Sequence, residues 1–114
     1  MRTDLNYLKT MSGDDPELMT EMIEIFNNQV IELKEEMQEL LNRKEFINLG
    51  KVAHKAKTSV AIMGMNDLAF SLKQLENEAK DGRNTEKYQD YIDNFGIETE
   101  EAIKELNEFK NSLS

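Results

Sequence analysis

The sequence predicts an all-α fold, an antiparallel up-down four-helix bundle with a short additional N-terminal helix. Three observations predict it. Apolar residues recur at spacings of mostly three and four along four long segments, the signature of amphipathic helices. Proline occurs once and glycine five times in 114 residues, too few breaks for a many-stranded fold. The segments are joined by short polar turns, which favour antiparallel neighbours. At this length residues 1–114 form one domain, with no room for a second core and no internal repeat or long linker.

The first residues, with Leu5, Tyr7, Leu8 and Met11, predict a short helix leaning on the bundle. Ser12-Gly13-Asp14-Asp15-Pro16-Glu17 reads as a stop followed by a start. Asp15 can accept the orphan amides of a new helix, and Pro16 suits its first position. A stripe of Leu18, Met22, Ile25, Val30, Leu33, Met37 and Leu40 then predicts a helix of roughly seven turns, closed by Asn42-Arg43-Lys44.

A third stretch begins near Glu45, carries Phe46, Leu49, Ala53, Ala56, Val60 and Met63 on one face, and stops at Gly64. Asn66 or Asp67 is expected to cap the next helix, which buries Leu68, Leu72, Leu75 and Ala79. Asp81-Gly82-Arg83-Asn84 is a turn. Thr85 is expected to cap the last helix, with its stripe of Tyr88, Tyr91, Ile92, Phe95, Thr99, Ala102, Ile103, Leu106 and Phe109. Gly96 falls inside that stripe and predicts a local bend or weak turn.

A net charge of -9 argues against nucleic acid and against an anionic membrane face, both of which need a basic surface. Cysteine is absent and histidine occurs once, so neither disulfides nor a metal site is expected, and no cofactor is implied. The opening Met1-Arg2-Thr3-Asp4-Leu5-Asn6 lacks a signal-peptide core, and no run has the length of a membrane span. A cytoplasmic protein without membrane insertion is the expectation.

The single histidine lies on the third helical stretch. On a wheel advancing about 100° per residue, His54 falls at the flank of the stripe centred on Leu49, Ala53, Ala56 and Val60. It is therefore expected to be partly open to solvent on a firmly packed helix, as a group that meets another protein must be. One turn away lie Gly50 and Lys51 before it and Lys57 and Thr58 after it, with Ala61 two turns on.

From Phe46 to Asn66 there is no acidic residue, and Lys51, Lys55 and Lys57 leave a positive patch on an acidic chain. Cations and an uncrowded imidazole suit a phosphoryl group. Imidazole as a class, with a reference pKa of about 6.5, offers a nucleophilic nitrogen near neutral pH. No glycine-rich phosphate loop, second histidine or carboxylate dyad accompanies it, so the chain lacks the parts to run phosphoryl transfer alone. Lys55, pointing furthest from the core, is read as a solvated surface charge. Ile47, Ala61, Ile62 and Met65 are expected to form an exposed apolar rim around His54, and the methionines otherwise fill the core.

The run Ala53-His54-Lys55-Ala56-Lys57-Thr58-Ser59-Val60-Ala61-Ile62-Met63-Gly64 resembles the motif of the histidine-containing phosphotransfer (HPt) domain. That motif has the phosphorylated histidine, a lysine three residues later, a small residue next, then a serine and a later glycine. Leu75-Glu76 looks like the family's leucine-glutamate pair. Gly13-Asp14-Asp15-Pro16-Glu17-Leu18 with Ile25-Phe26 resembles its first bundle helix. The likeness runs from about Leu5 to Phe109 by element order.

The resemblance implies that His54 is the phosphoacceptor, through Nε2, that Lys57 with Lys51 stabilises the phosphoryl oxygens, and that Gly64 ends the helix. It implies docking of receiver (response-regulator) domains at Ile47, Gly50, Thr58, Ala61, Ile62 and Met65. It also implies a place beside a hybrid sensor histidine kinase in a multistep two-component phosphorelay. Such a domain is a monomeric phosphoryl carrier, not an enzyme, and catalysis comes from the partner receiver. Thr58 departs from the family's usual glycine. The alternative is therefore a non-phosphorylated helical-bundle adaptor that binds receiver domains. The dimerising half of a histidine kinase ranks lower, because an acidic residue usually follows that histidine and here Lys55 does.

Overall fold

Helix boundaries in this chain are set by a few residues with distinct backbone roles. In the computed structural model, Asp15 is extended and its carboxylate accepts the Glu17 amide at 3.0 Å, with Pro16 in the first helical position. The structure describes residues 3–113, apart from the side chain of Tyr7. The expectations placed on Met1, Arg2 and the Tyr7 side chain lie outside the described residues.

Among the described residues five α-helices follow in order: α1 (Asn6–Ser12), α2 (Pro16–Asn42), α3 (Phe46–Ile62), α4 (Asn66–Asp81) and α5 (Tyr88–Ser112). The last four form the all-α bundle, in which α3 packs most extensively on α4, and α2 rests on both α3 and α5. The described chain measures 45 × 20 × 20 Å. No described helix is long and apolar enough to cross a membrane.

The core is the sum of the inward stripes. Leu49, Ala53, Ala56 and Val60 of α3 meet Leu68, Leu72, Leu75 and Ala79 of α4, as the spacing predicts. On α5 the buried set is Tyr88, Ile92, Phe95, Thr99, Ala102 and Leu106, with Tyr91, Ile103 and Phe109 half-buried at its margin.

The first half of α2 is rotated from expectation. Met19, Ile23 and Phe26 are buried, whereas Leu18 and Ile25 are exposed and Met22 is only partly covered. Each buried residue has an apolar neighbour in sequence, so the stripe is ambiguous by one position there. What decides it is continuity: 19, 23, 26, 30, 33 and 37 step by four and three without a break, while 25 to 30 does not.

Two capping expectations and one expected bend fail for local reasons. Met65, not Asn66 or Asp67, precedes α4, and no side chain caps it. Its amide is satisfied earlier, by the Val60 carbonyl at the end of α3. Thr85 opens a 3-10 turn over Thr85–Lys87 instead of capping α5, and left-handed Asn84 introduces that turn. Tyr88 anchors the junction, its hydroxyl 2.6 Å from the Arg83 carbonyl and its ring edge-on to Phe46. Gly96 makes no break in α5. The end of the Lys34 side chain passes where a Cβ would stand, with Nζ 2.7 Å from that point.

Gly64 does stop α3, and for two reasons. Its φ is +75°, a left-handed conformation that disfavours side chains. The chain start is also laid directly on it: the Asp4 amide donates to the Met63 carbonyl at 3.0 Å, and an added Cβ would lie 2.6 Å from the Asp4 backbone nitrogen.

Gly82 shares the left-handed φ but has open space around it. Gly64→Ala is therefore expected to lower unfolding free energy by about 2–4 kcal/mol, and Gly82→Ala by only about 1 kcal/mol. Urea titration of both variants measures the difference, and equal losses would contradict the steric account.

Candidate functional site

The outward face of α3 is a crest of Ile47, Lys51, His54, Thr58 and Ala61, stepping by four and three, and all five are exposed. The opposite face is packed so fully that the crest is a fixed platform. His54 stands near its middle with 57% of its side chain open to solvent.

Small residues bring α4 close beneath it. A Cβ on Gly50 would lie 3.2 Å from the Glu76 carbonyl and 3.6 Å from the Ala79 Cβ, so Gly50 and Ala79 together permit the approach. That approach delivers Glu76 to the imidazole. Glu76 lies on the buried stripe of α4 beside Leu72, Leu75 and Ala79, and only 7% of it is exposed.

A carboxylate in that position needs partners, and it has three. His54 Nδ1 is 3.1 Å from Oε2, Lys80 Nζ is 3.0 Å from the same oxygen, and Lys57 Nζ is 3.3 Å from Oε1. Burial pushes the Glu76 carboxyl up. Hydrogen bonds from Lys80, His54 and Lys57, with the Lys57 charge, outweigh burial and bring it down from 4.5 to about 2.

The ionised carboxylate is an acceptor only, so in the neutral imidazole the proton that meets it belongs to Nδ1. Nε2 then keeps its lone pair. A buried carboxylate thus fixes the ring's orientation and tautomer, the same device that orients metal-bound histidines. The result is an aimed, partly exposed nucleophile one helical turn from Lys57.

Lys57 is three-quarters covered, and its ammonium is held at the site through Glu76. Lys51 is exposed one turn before His54 on the crest, and Lys55 is exposed as well. The Thr58 hydroxyl donates back to the His54 carbonyl at 3.2 Å, so its proton is directed along the helix and not toward the imidazole. Among the described residues no three acidic or histidine side chains converge as metal ligands would.

Two of the expected docking residues are not on the surface. Met65 is 3% exposed, tucked into the core where the chain turns from α3 to α4. Gly50 is buried because it faces α4. Ile47, Thr58 and Ala61 are exposed and Ile62 partly so.

Glu76 and Lys80 are the site residues that sequence reasoning did not select. In the sequence Glu76 stands out only as half of the Leu75-Glu76 pair. Its signal was a carboxylate at core-facing spacing, since a buried acid is rarely found without a partner. Lys80, four residues later on α4, is the complementary base.

The family model of the Hpt domain matches residues 21–109, which span most of α2, all of α3 and α4, and most of α5. No curated protein and no solved structure gives a significant match.

The depressed Glu76 value fixes a pH dependence. Its folded value lies below its ordinary 4.5, so its stabilising contribution is complete above pH 4.5 and is lost as pH falls toward 2. The full difference is on the order of 3 kcal/mol. Glu76→Gln is expected to be less stable at pH 7 and to lose less stability on acidification across that window. Urea unfolding at several pH values checks it, and a variant with the parent's slope would contradict it.

Proposed function

Because this chain belongs to the Hpt domain family, whose members are phosphocarriers of two-component signalling and interact with receiver domains, we propose that it is a cytoplasmic phosphorelay carrier working through His54. His54 accepts the phosphoryl group from a receiver-domain aspartate and passes it to another receiver, as a single monomeric domain fed by a hybrid sensor histidine kinase. The chain supplies the nucleophile and its electrostatic setting, and the partner receiver supplies the catalysis.

The observation that carries this reading is the bond from His54 Nδ1 to the buried Glu76 carboxylate. Nε2 attacks phosphorus as the bond to the aspartyl oxygen breaks, and the aspartate leaves as carboxylate. The proton on Nδ1 stays in place, so the N-phosphorylated ring is cationic and faces the Glu76 anion. That pairing stabilises the carrier form, while the ring's positive charge keeps it a good leaving group for the next aspartate.

Lys57 is placed to exchange one anion for another. When phosphate arrives, its ammonium can leave Glu76 Oε1 for a phosphoryl oxygen. Glu76 is not left unpaired, because Lys80 and the ring remain on Oε2. Lys51, one turn before His54, adds a second cation at the solvent side.

Incubation with a phosphorylated receiver is expected to put acid-labile, alkali-stable phosphate on the parent and none on His54→Gln. Equal labelling of the two would end the carrier reading. Lys57→Ala should slow transfer about tenfold or more, the scale of one charge-assisted hydrogen bond, in a rapid-quench assay. Thr58→Gly should leave the rate within about twofold, since the hydroxyl is turned back on the helix. If transfer appears only in Thr58→Gly, the parent is an adaptor.

A further inference from the structure

The surface around His54 is not symmetrical along α3. Toward the C-terminal end, a groove of about 550 Å³ runs between α3 and α4, lined by Lys57, Thr58, Ala61, Phe70 and Lys73 among others. A smaller one of about 190 Å³ runs along the other flank, between α2 and α3, with Met22, Ile25 and Ser59 in its wall. Ile62 belongs to both, so the two grooves border a single ridge. Each holds one large apolar side chain that the fold leaves out: Phe70 is 64% exposed and Ile25 is 55% exposed.

Charge divides the two directions. Among the described residues neither C-terminal groove is lined by a carboxylate, in a chain with 23 acidic residues, and Lys57 and Lys73 are the charges that line them. Toward the N-terminal end of α3 the corresponding groove is walled by Glu45 and Asp81 as well as by Lys44 and Lys80. Ile47, a docking residue by the family resemblance, is as exposed as Phe70 but sits among those carboxylates, which argue against its use by an anionic partner.

Resting on the carrier reading, we infer that the partner receiver docks off-centre, over the C-terminal half of α3, with Phe70 of α4 and Ile25 of α2 as its two apolar anchors. The reaction itself states the partner's chemistry: it presents an aspartyl phosphate, an anion. Cations attract such a face and carboxylates repel it. Area points the same way. A specific interface covers about 800 Å² per partner, more than one helix crest offers, so the footprint must extend onto neighbouring helices. Grooves continuous with the crest on both flanks supply that extension, and exposed aromatic and aliphatic side chains beside them are the usual anchors. Thr58 and Ala61 keep the ridge low between the anchors.

The test is single-turnover phosphotransfer from a phosphorylated receiver at increasing receiver concentration, using the parent, Phe70→Ala, Ile25→Ala and Ile47→Ala. All three side chains are exposed, so circular dichroism should show the parent fold throughout. Phe70→Ala and Ile25→Ala should each raise the half-saturating concentration about tenfold and leave the maximal rate within about twofold. Ile47→Ala should leave both within about twofold. The inference is overturned if either anchor variant keeps the parent's half-saturation, or if Ile47→Ala weakens docking as much as they do. A parent that accepts no phosphate overturns the carrier reading and this inference together. A parent that transfers normally while Phe70→Ala matches it overturns the docking geometry alone.

Discussion

The Glu76 carboxylate occupies a position on α4 that its neighbours Leu72, Leu75 and Ala79 assign to the core, and an anion there has to be matched. Three nitrogens match it, from His54, Lys57 and Lys80. The consequence reaches each functional feature in turn. The imidazole is oriented by its bond to the carboxylate, its proton is drawn to Nδ1, and Lys57 is held on the same carboxylate. Removing the carboxylate would leave two lysines and a histidine near one another with nothing between them.

The bundle serves that carboxylate. Gly50 and Ala79 let α3 and α4 come close enough for a side chain on one to meet the ring on the other. Gly64 and the start of the chain close the end of α3, and Tyr88 closes the turn after α4. A helix closed at its end and packed along its inner face gives its crest a firm base, as the proposed carrier role requires of the atom it presents. Stability and presentation are therefore the same packing problem here. The acidic remainder of the surface leaves the carboxylate-free stretch from Phe46 to Asn66 as the place where an anionic partner is least opposed.

Much of this could be read from residues alone, and where it could not the reason is specific. Asp15-Pro16 and Gly64 carry their meaning locally, one as a cap with a pre-set φ and the other as a left-handed stop. The stripes of α3 and α4 are legible from their middles, Ala53 to Val60 and Leu72 to Ala79, where only polar residues separate the apolar positions. In α2 the pairs Leu18-Met19, Met22-Ile23 and Ile25-Phe26 let two stripes compete, and only packing chose between them. Met65 looked like a rim residue because nothing in sequence tells that the turn after Gly64 carries it inward. Glu76 is the instructive case. Helical spacing places it on the inner face, but two of its three partners, His54 and Lys57, lie on α3, 22 residues away for His54, and contacts across helices are not visible in periodicity.

A buried carboxylate at Nδ1 keeps neutral His54 protonated there and leaves the lone pair on Nε2, the atom proposed to carry phosphate. Nitrogen-15 NMR of the imidazole above its titration range tests it directly. The account predicts a pyrrole-type resonance for Nδ1 and a pyridine-type resonance for Nε2, with phosphate later bonded to Nε2. A ring protonated at Nε2 in the resting protein, or phosphate found on Nδ1, would contradict it.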